Sequence, residues 1–270
     1  MYLFADILYF IAYYVVRYRR KVTRRNLTNS YPHMGDTELV KLERAYYRHM
    51  SDLLIEAIVN LYASPKWIMR HYRIVNRELV NSYYNKGQSV VLMSAHYNNW
   101  EYMITSLNFQ LLHHGVGVGK PLNDKALATY VTRRRSRYGT EIVDQTDVRE
   151  TMTYYHQHQV PVAYMMLSDQ SPSNPHRSLW TTFLGRDTAF LFGAEHFARK
   201  YNYPVLYYTV DRVRRGYYEV TFSHFSEHPQ EEPQYAIVER YARTLEQQIR
   251  QRPELWLWSH RRWKLKHPEQ

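Results

Sequence analysis

The sequence contains no cysteine, and several common catalytic motifs are also missing. The absence of Cys in 270 residues excludes disulfides, thiolate metal sites and a cysteine nucleophile, and it is compatible with a reducing compartment. No G-x-S-x-G elbow, no H-E-x-x-H zinc motif and no G-x-G-x-x-G loop occurs. No linker, low-complexity tract or solenoid repeat divides the chain. We therefore expect one large domain that uses neither a metal nor another cofactor.

Acidic residues are outnumbered by basic ones. The chain has 36 Lys and Arg against 25 Asp and Glu, which gives a formal net charge of +11. This excess indicates an anionic partner, which could be nucleic acid, an acidic protein or an anionic membrane. The 27 tyrosines suit either a membrane interface or base stacking. Composition alone leaves these classes open.

The sequence also lacks a hydrophobic run long enough to span a bilayer. Residues 1–16 are apolar apart from Asp6, but a span needs about 20 residues, and no signal-peptide cleavage site follows. Residues 17–25 then carry six cations and no acid. We predict that residues 1–25 form an interfacial helix with a basic cluster, and that residues 26–270 form a single domain. A core-packed helix with a solvated basic end fits this segment equally well.

Alternating strand and helix patterns predict an α/β fold. Such alternation favours a mainly parallel central sheet that is flanked by helices on both faces. The last two strands flank a hairpin-like connection at 211–216. Strands are expected at 89–94, 116–119, 141–143, 160–166, 205–210 and 217–222, and helices at 36–62, 99–112, 123–137, 147–158 and 233–251.

One histidine directly follows a predicted buried strand. His96 stands two residues after the strand, and Glu101 lies in the first turn of the next helix. A histidine oriented by a carboxylate is a general base for a hydroxyl. Chance supplies about one His-x4-acid pair in this composition, and His33 with Glu38 is a second match, in a loop. Only His96 lies at a strand-to-helix junction, where open α/β sheets bind ligands.

The segment between the two residues has an alternative interpretation. Asn98 followed by Glu101 also fits a capping box, in which the carboxylate only satisfies backbone donors. Along a continuous helix His96 and Glu101 would stand about 500° apart. The catalytic pairing therefore requires His96 to lie outside the helix, with Asn98 and Asn99 as the break. The local sequence leaves both interpretations open.

Five short blocks stand in a fixed order along the chain: AHYNNWE at 95–101, KPL at 120–122, SDQ at 168–170, FLGR at 183–186 and WSHRRWK at 258–264. Together they resemble the bacterial lipid A biosynthesis acyltransferases, which are lauroyl and myristoyl transferases of the lysophospholipid acyltransferase superfamily. The resemblance covers nearly the whole chain. It implies a sheet wrapped by helices, with the histidine at the mouth of a hydrophobic cleft.

The resemblance also implies an activity. The expected enzyme is associated with the cytoplasmic face of the inner membrane of a Gram-negative-type bacterium. It moves a fatty acyl chain from a thioester, with acyl carrier protein as donor, to a hydroxyl or amine of a lipid A precursor or related lipid. Acyl carrier protein is acidic and lipid A precursors carry phosphates, so the basic surface suits both partners, and nucleic acid is not expected as a partner.

Residue roles follow from the same resemblance. His96 is expected to be the general base and Glu101 the carboxylate that orients it. Arg186 is expected to bind an acceptor phosphate or the developing oxyanion, and Asp169 to have a structural role at the carboxyl edge of the sheet. The substrate-binding residues implied in this way are Asn99, Lys120, Asp169 and Arg186, with no metal ligand.

Departures from the family pattern concern the acceptor. Asn98 stands where relatives have glycine, and asparagine tolerates the left-handed backbone that glycine allows. Lys120 stands where relatives have arginine, which exchanges a bidentate fork for a point charge. Two other functions remain as alternatives. One is a thioesterase or lipase that uses water at the same site, and the other is a basic, tyrosine-rich nucleic-acid-binding protein.

Overall fold

The computed structural model of the chain describes residues 1–120 and 124–268, and its centre is a mostly parallel sheet. Seven strands form this sheet and two more form a separate hairpin, among the residues described. The strands are β1 (Tyr72–Ile74), β2 (Val90–Ser94), β3 (His114–Gly119), β4 (Glu141–Asp144), β5 (Val162–Leu167), β6 (Leu179–Phe183), β7 (Arg186–Phe190), β8 (Val205–Arg214) and β9 (Tyr217–Ser226).

The order of the sheet is β1-β9-β8-β2-β5-β3-β4. All neighbouring pairs are parallel except β8 and β9, which form an antiparallel hairpin. The hairpin is longer than predicted, because Arg214 still pairs with Tyr217 and only two residues remain for the turn. Strands β6 and β7 pair with each other in a second, antiparallel sheet.

Ten α-helices surround the sheet in the same part of the chain. A π-helical turn at Ile11–Val15 continues the first of them. The helices are α1 (Tyr2–Phe10), α2 (Arg20–Ser30), α3 (Asp36–Asn60), α4 (Pro65–His71), α5 (Arg77–Tyr84), α6 (Glu101–Gln110), α7 (Lys125–Arg135), α8 (Val148–Gln157), α9 (Gly193–Tyr201) and α10 (Ala236–Gln251).

Two hydrophobic cores lie on opposite faces of the sheet. Successive residues of a strand point to opposite faces, and β2 divides in this way. Val91 and Met93 belong to the core that includes Tyr241 of α10, whereas Val90 and Leu92 belong to the core under α6. Because both faces are covered, β2 is apolar at nearly every position. This arrangement confirms the predicted α/β class with helices on both faces.

The amino-terminal helix is fixed to the rest of the protein by polar contacts. The Tyr2 hydroxyl donates to Glu56 Oε1 of α3 at 2.9 Å. Arg215, at the turn between β8 and β9, forms ion pairs with Asp6 of α1 at 2.7 Å and with Asp52 of α3 at 2.6 Å. One face of helix α1 therefore packs on α3, and its opposite face is exposed to solvent.

That outward face of α1 is apolar. Leu3 is 72% exposed, Phe4 67% and Phe10 57%. Within the described residues, no helix combines the length and the apolar character needed to cross a membrane.

Candidate active site

His96 lies in a sharp turn between β2 and α6, outside the helix. Helix α6 begins at Glu101, and Asn98 has a left-handed backbone with φ of 56°. The Asn98 side chain donates to Val210 O at 2.8 Å, and its backbone N–H donates to Leu255 O at 2.9 Å. This confirms that asparagine supports the left-handed turn and that His96 precedes the helix. The capping-box interpretation is wrong, because Asn99 Oδ1, not Asn98, accepts the Tyr102 N–H.

The imidazole of His96 is held from both sides. Its Nδ1 is 2.7 Å from Asp169 Oδ1, and its Nε2 is 3.1 Å from Gln170 Nε2. Asp169 is an acceptor when ionised, so Nδ1 carries the proton and Nε2 presents a lone pair, to which Gln170 donates. The His96 side chain is 18% exposed, and its ring lies 5.0 Å from that of Trp100. Nε2 is therefore the nitrogen that can accept a proton.

Asp169 is a buried carboxylate with three donors. It follows β5, which pairs with β2 in parallel, so Asp169 and His96 reach the same edge of the sheet. Its Oδ1 also accepts the His96 backbone N–H at 3.0 Å, and its Oδ2 accepts Trp256 Nε1–H at 3.0 Å. Burial raises the pKa of Asp169, but His96 and these hydrogen bonds outweigh burial and bring the pKa to about 2. Asp169 is ionised at neutral pH.

Glu101 is bound by an arginine of the next helix and not by the imidazole. Its two carboxylate oxygens accept hydrogen bonds from Arg135 of α7 at 2.6, 2.8 and 3.0 Å, and no hydrogen bond joins Glu101 to His96 in residues 1–120 and 124–268. This corrects the predicted contact between His96 and Glu101. The physical reason is that Glu101 opens α6 on the side of α7, whereas the neighbouring parallel strand delivers Asp169 directly to Nδ1.

Asn99 supports the turn instead of presenting a free amide. Its Nδ2 donates to Glu56 Oε2 at 2.7 Å, and the hydroxyl of Tyr218 donates to the same oxygen at 2.7 Å. Burial raises the pKa of Glu56, and its hydrogen bonds oppose that effect. Asn99 thus connects the turn between β2 and α6 to α3 and β9.

An apolar cleft of about 540 Å³ runs beside this turn. Helices α1 and α3 form one wall, and Leu53 and Ala57 of α3 are among its lining residues. Asn99, Trp100 and Glu101 line the end near His96, together with Trp256. His96 itself does not line this space, but its ring lies 5.0 Å from that of Trp100, which does.

The two predicted basic ligands have different surroundings. Lys120 is exposed at the end of β3, and the rest of its motif, Pro121 and Leu122, lies outside the described residues. Arg186 opens β7 and stacks on Trp263, with its guanidinium carbon 4.2 Å from the ring centroid. Its Nη1 is buried and has no hydrogen-bond partner in the described part of the chain. Burial, followed by the charge of Arg25, lowers the pKa of Arg186.

The carboxyl-terminal segment contributes residues that the sequence interpretation missed. Trp256 binds Asp169, and His260 Nε2 accepts the Ser171 N–H at 3.2 Å. Asn26 of the basic helix α2 donates to the carbonyl of His260 at 3.0 Å and to that of Trp258 at 2.9 Å. His260 lies in the block at 258–264, which predicts no particular contact, and Trp256 lies outside all five blocks.

No group of three or more histidine and carboxylate side chains in the described ranges has the arrangement of a metal site. The fold and the site combine a histidine with a free ring nitrogen, a buried carboxylate and an apolar cleft. A family model places the chain in the class of acyltransferases. It belongs to the bacterial lipid A biosynthesis acyltransferases, since the model of that family matches residues 2–265. A search of curated proteins gave no match.

Proposed function

We propose that the protein transfers a fatty acyl chain from a thioester, acyl carrier protein being the donor, to a hydroxyl or amine of a lipid A precursor or related lipid, with His96 as general base. The observation that carries this proposal is the Asp169–His96 pair, whose neighbours Trp100 and Trp256 line the apolar cleft. Family membership supports the acyltransferase class, and the geometry supports the assignment of the base.

The reaction needs one proton shuttle. The acceptor hydroxyl displaces the Gln170 amide and donates to His96 Nε2, while Nδ1–H stays bound to Asp169. His96 takes the proton as the acceptor oxygen attacks the thioester carbonyl. The tetrahedral intermediate then collapses, the C–S bond breaks and the thiolate leaves with the proton from Nε2. Asp169 remains ionised throughout and stabilises the imidazolium, so no covalent enzyme intermediate is required.

The apolar cleft suits the acyl chain. Burial of each CH₂ group in such a space contributes about 0.8 kcal/mol, so a cleft lined by Leu53, Met50 and similar residues favours a long hydrocarbon chain. Glu101, fixed by Arg135, forms part of the wall near the reacting carbonyl, and Asn99 fixes the shape of that wall through Glu56. We assign these two residues to cleft geometry.

Basic groups near the site suit anionic parts of both substrates. The Nη1 of Arg186 has no partner in the described residues, and burial followed by the neighbouring charge of Arg25 of α2 lowers the pKa of Arg186. Two neighbouring guanidinium groups suit a phosphate of the acceptor. Helix α2 and Arg261 also line a cationic cleft of about 840 Å³, which suits acidic carrier protein, and exposed Lys120 adds a further cation.

We further propose that the protein works on the cytoplasmic face of the inner membrane. The exposed apolar face of α1 and the basic cluster of α2 are neighbours in sequence. This combination suits an interfacial helix on an anionic bilayer surface. In this orientation a membrane lipid reaches the cleft without leaving the interface.

The test is an acyl-transfer assay with purified protein, acyl-loaded carrier protein and a lipid A precursor in mixed micelles. We expect the wild type to form acylated lipid, detected by mass spectrometry, and His96→Ala to lose this activity while keeping its circular dichroism spectrum. His33→Ala, which changes the other His-x4-acid match, is the control and keeps activity. Full activity in His96→Ala would contradict the assignment, and fatty acid release without a lipid acceptor would indicate a hydrolase.

A further inference from the structure

A cationic cavity of about 500 Å³ lies on the outer side of α3, between this helix and the β8–β9 hairpin. Two carboxylates line it, those of Asp52 and Glu254, together with five arginines, so positive charges exceed negative charges by three. The arginines come from α3, from the end of β8 and the turn after it, and from the residue after α10: Arg48, Arg212, Arg214, Arg215 and Arg252. We call this cavity the Arg212 pocket.

Three of these arginines have no carboxylate partner within residues 1–120 and 124–268. The guanidinium groups of Arg48 and Arg214 lie over tyrosine rings, and Arg212 Nη1 donates to an imidazole. Arg215, in contrast, is paired with Asp52 at 2.6 Å. Like charges that share a concave surface repel one another and attract an anion. The unpaired arginines therefore leave the pocket suited to an anionic ligand.

His49 adds an unpaired donor to the wall of the pocket. It is 2% exposed, and burial, followed by the charges of Arg212 and Arg252, lowers the pKa of its imidazole, which is neutral at pH 7. Arg212 Nη1 can only donate, so His49 Nδ1 accepts at 3.3 Å and Nε2 carries the hydrogen. This Nε2 has no hydrogen-bond partner in the described part of the chain. A buried N–H without an acceptor is unfavourable, which indicates a ligand that supplies one.

The Arg212 pocket adjoins both the turn between β2 and α6 and the apolar cleft. The Tyr97 hydroxyl donates to Arg252 O at 3.1 Å, and the Asn98 side chain donates to Val210 O of β8 at 2.8 Å. His49 lines the Arg212 pocket and also the cleft of about 540 Å³. A ligand with its anionic group in the pocket can therefore place an apolar part against the cleft.

Helix α1 also borders the pocket. Arg215 forms an ion pair with Asp6 of α1 at 2.7 Å, and the guanidinium carbon of Arg48 lies 5.2 Å from the ring centroid of Tyr9 in the same helix. The outer face of α1 is apolar, as the exposure of Phe4 shows. Lipid phosphates lie at the bilayer surface, where an interfacial helix also lies. This position favours a lipid phosphate over a free anion.

We propose that the Arg212 pocket binds a phosphate group of the lipid acceptor, with the apolar part of that lipid against the adjoining cleft. A phosphate matches the pocket because its oxygens accept several hydrogen bonds at once, from guanidinium groups and from the His49 N–H. The inference rests on the proposed function, since it takes the bound lipid to be the acyl acceptor. Arg186 and Arg25 do not line this pocket, so it is an additional anion site.

The first test measures binding and needs no acyl transfer. The probe is dihexanoyl phosphatidic acid, a soluble lipid with a phosphate monoester, and its affinity for the purified protein is measured by calorimetric titration. We expect Arg212→Gln to bind it about tenfold more weakly than the wild type, because the amide can still donate to His49 but carries no charge. Arg70→Gln changes an exposed cation of α4 outside the pocket, and this matched control should keep the wild-type affinity.

Two further ligands separate the possible sources of the phosphate. Zwitterionic dihexanoyl phosphatidylcholine should bind more weakly than phosphatidic acid, and so should inorganic phosphate, which has no apolar part. Inorganic phosphate that binds as tightly as phosphatidic acid would assign the pocket to a free anion and overturn the lipid assignment. Equal affinity of the wild type and Arg212→Gln, or an equal loss in Arg70→Gln, would overturn the proposal. If Arg212→Gln does not fold, the exposed Arg48→Gln is measured in its place with the same criteria.

The second test uses steady-state acyl transfer. In Arg212→Gln we expect the KM for the lipid acceptor to rise about tenfold, while kcat and the KM for the acyl donor stay within about twofold. An unchanged acceptor KM would overturn the proposal, and a rise confined to the donor KM would assign the pocket to the carrier protein instead. A wild type that binds phosphatidic acid through Arg212 but transfers no acyl chain would refute the proposed function and leave the anion site intact.

Discussion

A single oxygen of Asp169 binds both the backbone and the side chain of His96. Oδ1 accepts the His96 N–H at 3.0 Å and lies 2.7 Å from Nδ1. The backbone contact fixes the position of the residue, and the side-chain contact fixes the tautomer and the ring orientation. The histidine is therefore ready to accept a proton at Nε2 before any substrate binds.

This relationship separates the two candidate carboxylates. Asp169→Asn should reduce kcat by a factor of about 10² to 10⁴, because an amide that donates to Nδ1 favours the wrong tautomer. Glu101→Gln should retain activity within about tenfold, since glutamine still accepts hydrogen bonds from Arg135. Initial rates of acyl transfer by the two folded proteins measure the difference. An inactive Glu101→Gln beside an active Asp169→Asn would return the orienting role to Glu101.

The cleft predicts a change in chain-length preference. Ala57→Phe on α3 adds a ring to the wall of the 540 Å³ cleft, so longer acyl chains should lose more activity than shorter ones. Each excluded CH₂ forfeits about 0.8 kcal/mol, or roughly fourfold in kcat/KM. The preference for acyl chain length is measured by letting donors of different chain length compete and identifying the acylated products by mass spectrometry. Ile58→Phe, whose side chain is exposed beside the cleft residue, is the control and should leave it unchanged.

A buried histidine far from the site predicts acid sensitivity. His113 is 2% exposed, and burial lowers its pKa from 6.5 to about 4. The unfolded chain therefore takes up this proton at higher pH than the folded chain. Stability is complete above about pH 6.5 and falls by about 3 kcal/mol towards pH 4.

His113→Gln should remove this part of the pH dependence, because glutamine can still donate to the carbonyl that His113 contacts. Urea unfolding between pH 4 and pH 7 measures the free energy of unfolding. His228 is exposed, so His228→Gln should show the same change of unfolding free energy with pH as the wild type. If the free energy of unfolding of His113→Gln depended on pH as in the wild type, His113 would not be the cause of the acid sensitivity.

The outer face of α1 predicts membrane binding. Phe4→Glu should weaken binding to anionic phospholipid vesicles by at least about tenfold, since insertion of a phenylalanine is worth about 1.5–3 kcal/mol and a carboxylate is repelled. Vesicle sedimentation measures the bound fraction. Leu112→Glu is the matched control, because Leu112 is 55% exposed just before β3, at the amino edge of the sheet. Equal loss in both variants would argue against a specific docking face.

The sheet could be predicted from sequence because its strands are apolar and bounded by clear helical patterns. The predicted strands and the long helix α3 are all confirmed, with ends that differ by a few residues. Strand β1 was missed because it has three residues and contains Arg73. The hairpin β6–β7 was missed because its residues are mixed in polarity and most of β6 is only half-buried.

The histidine could also be located, but its partner could not. Spacing along the chain favoured Glu101, five residues away, whereas the actual partner of Nδ1 is Asp169, 73 residues away. Strand order decides this contact, because β2 and β5 are neighbours only in the folded sheet. Trp256 and His260 come from a segment without regular structure, so periodicity gave no indication of their positions.

Glu56 connects three separate parts of the molecule. Its side chain accepts hydrogen bonds from Tyr2 of α1, Asn99 of the turn between β2 and α6, and Tyr218 of β9. A detergent that lifts α1 from α3 removes one of these donors and loosens a buried carboxyl group next to the turn that carries His96. Inactivation during solubilisation would then report detachment of one helix while the sheet remains folded, and the choice of detergent becomes an assay of that contact.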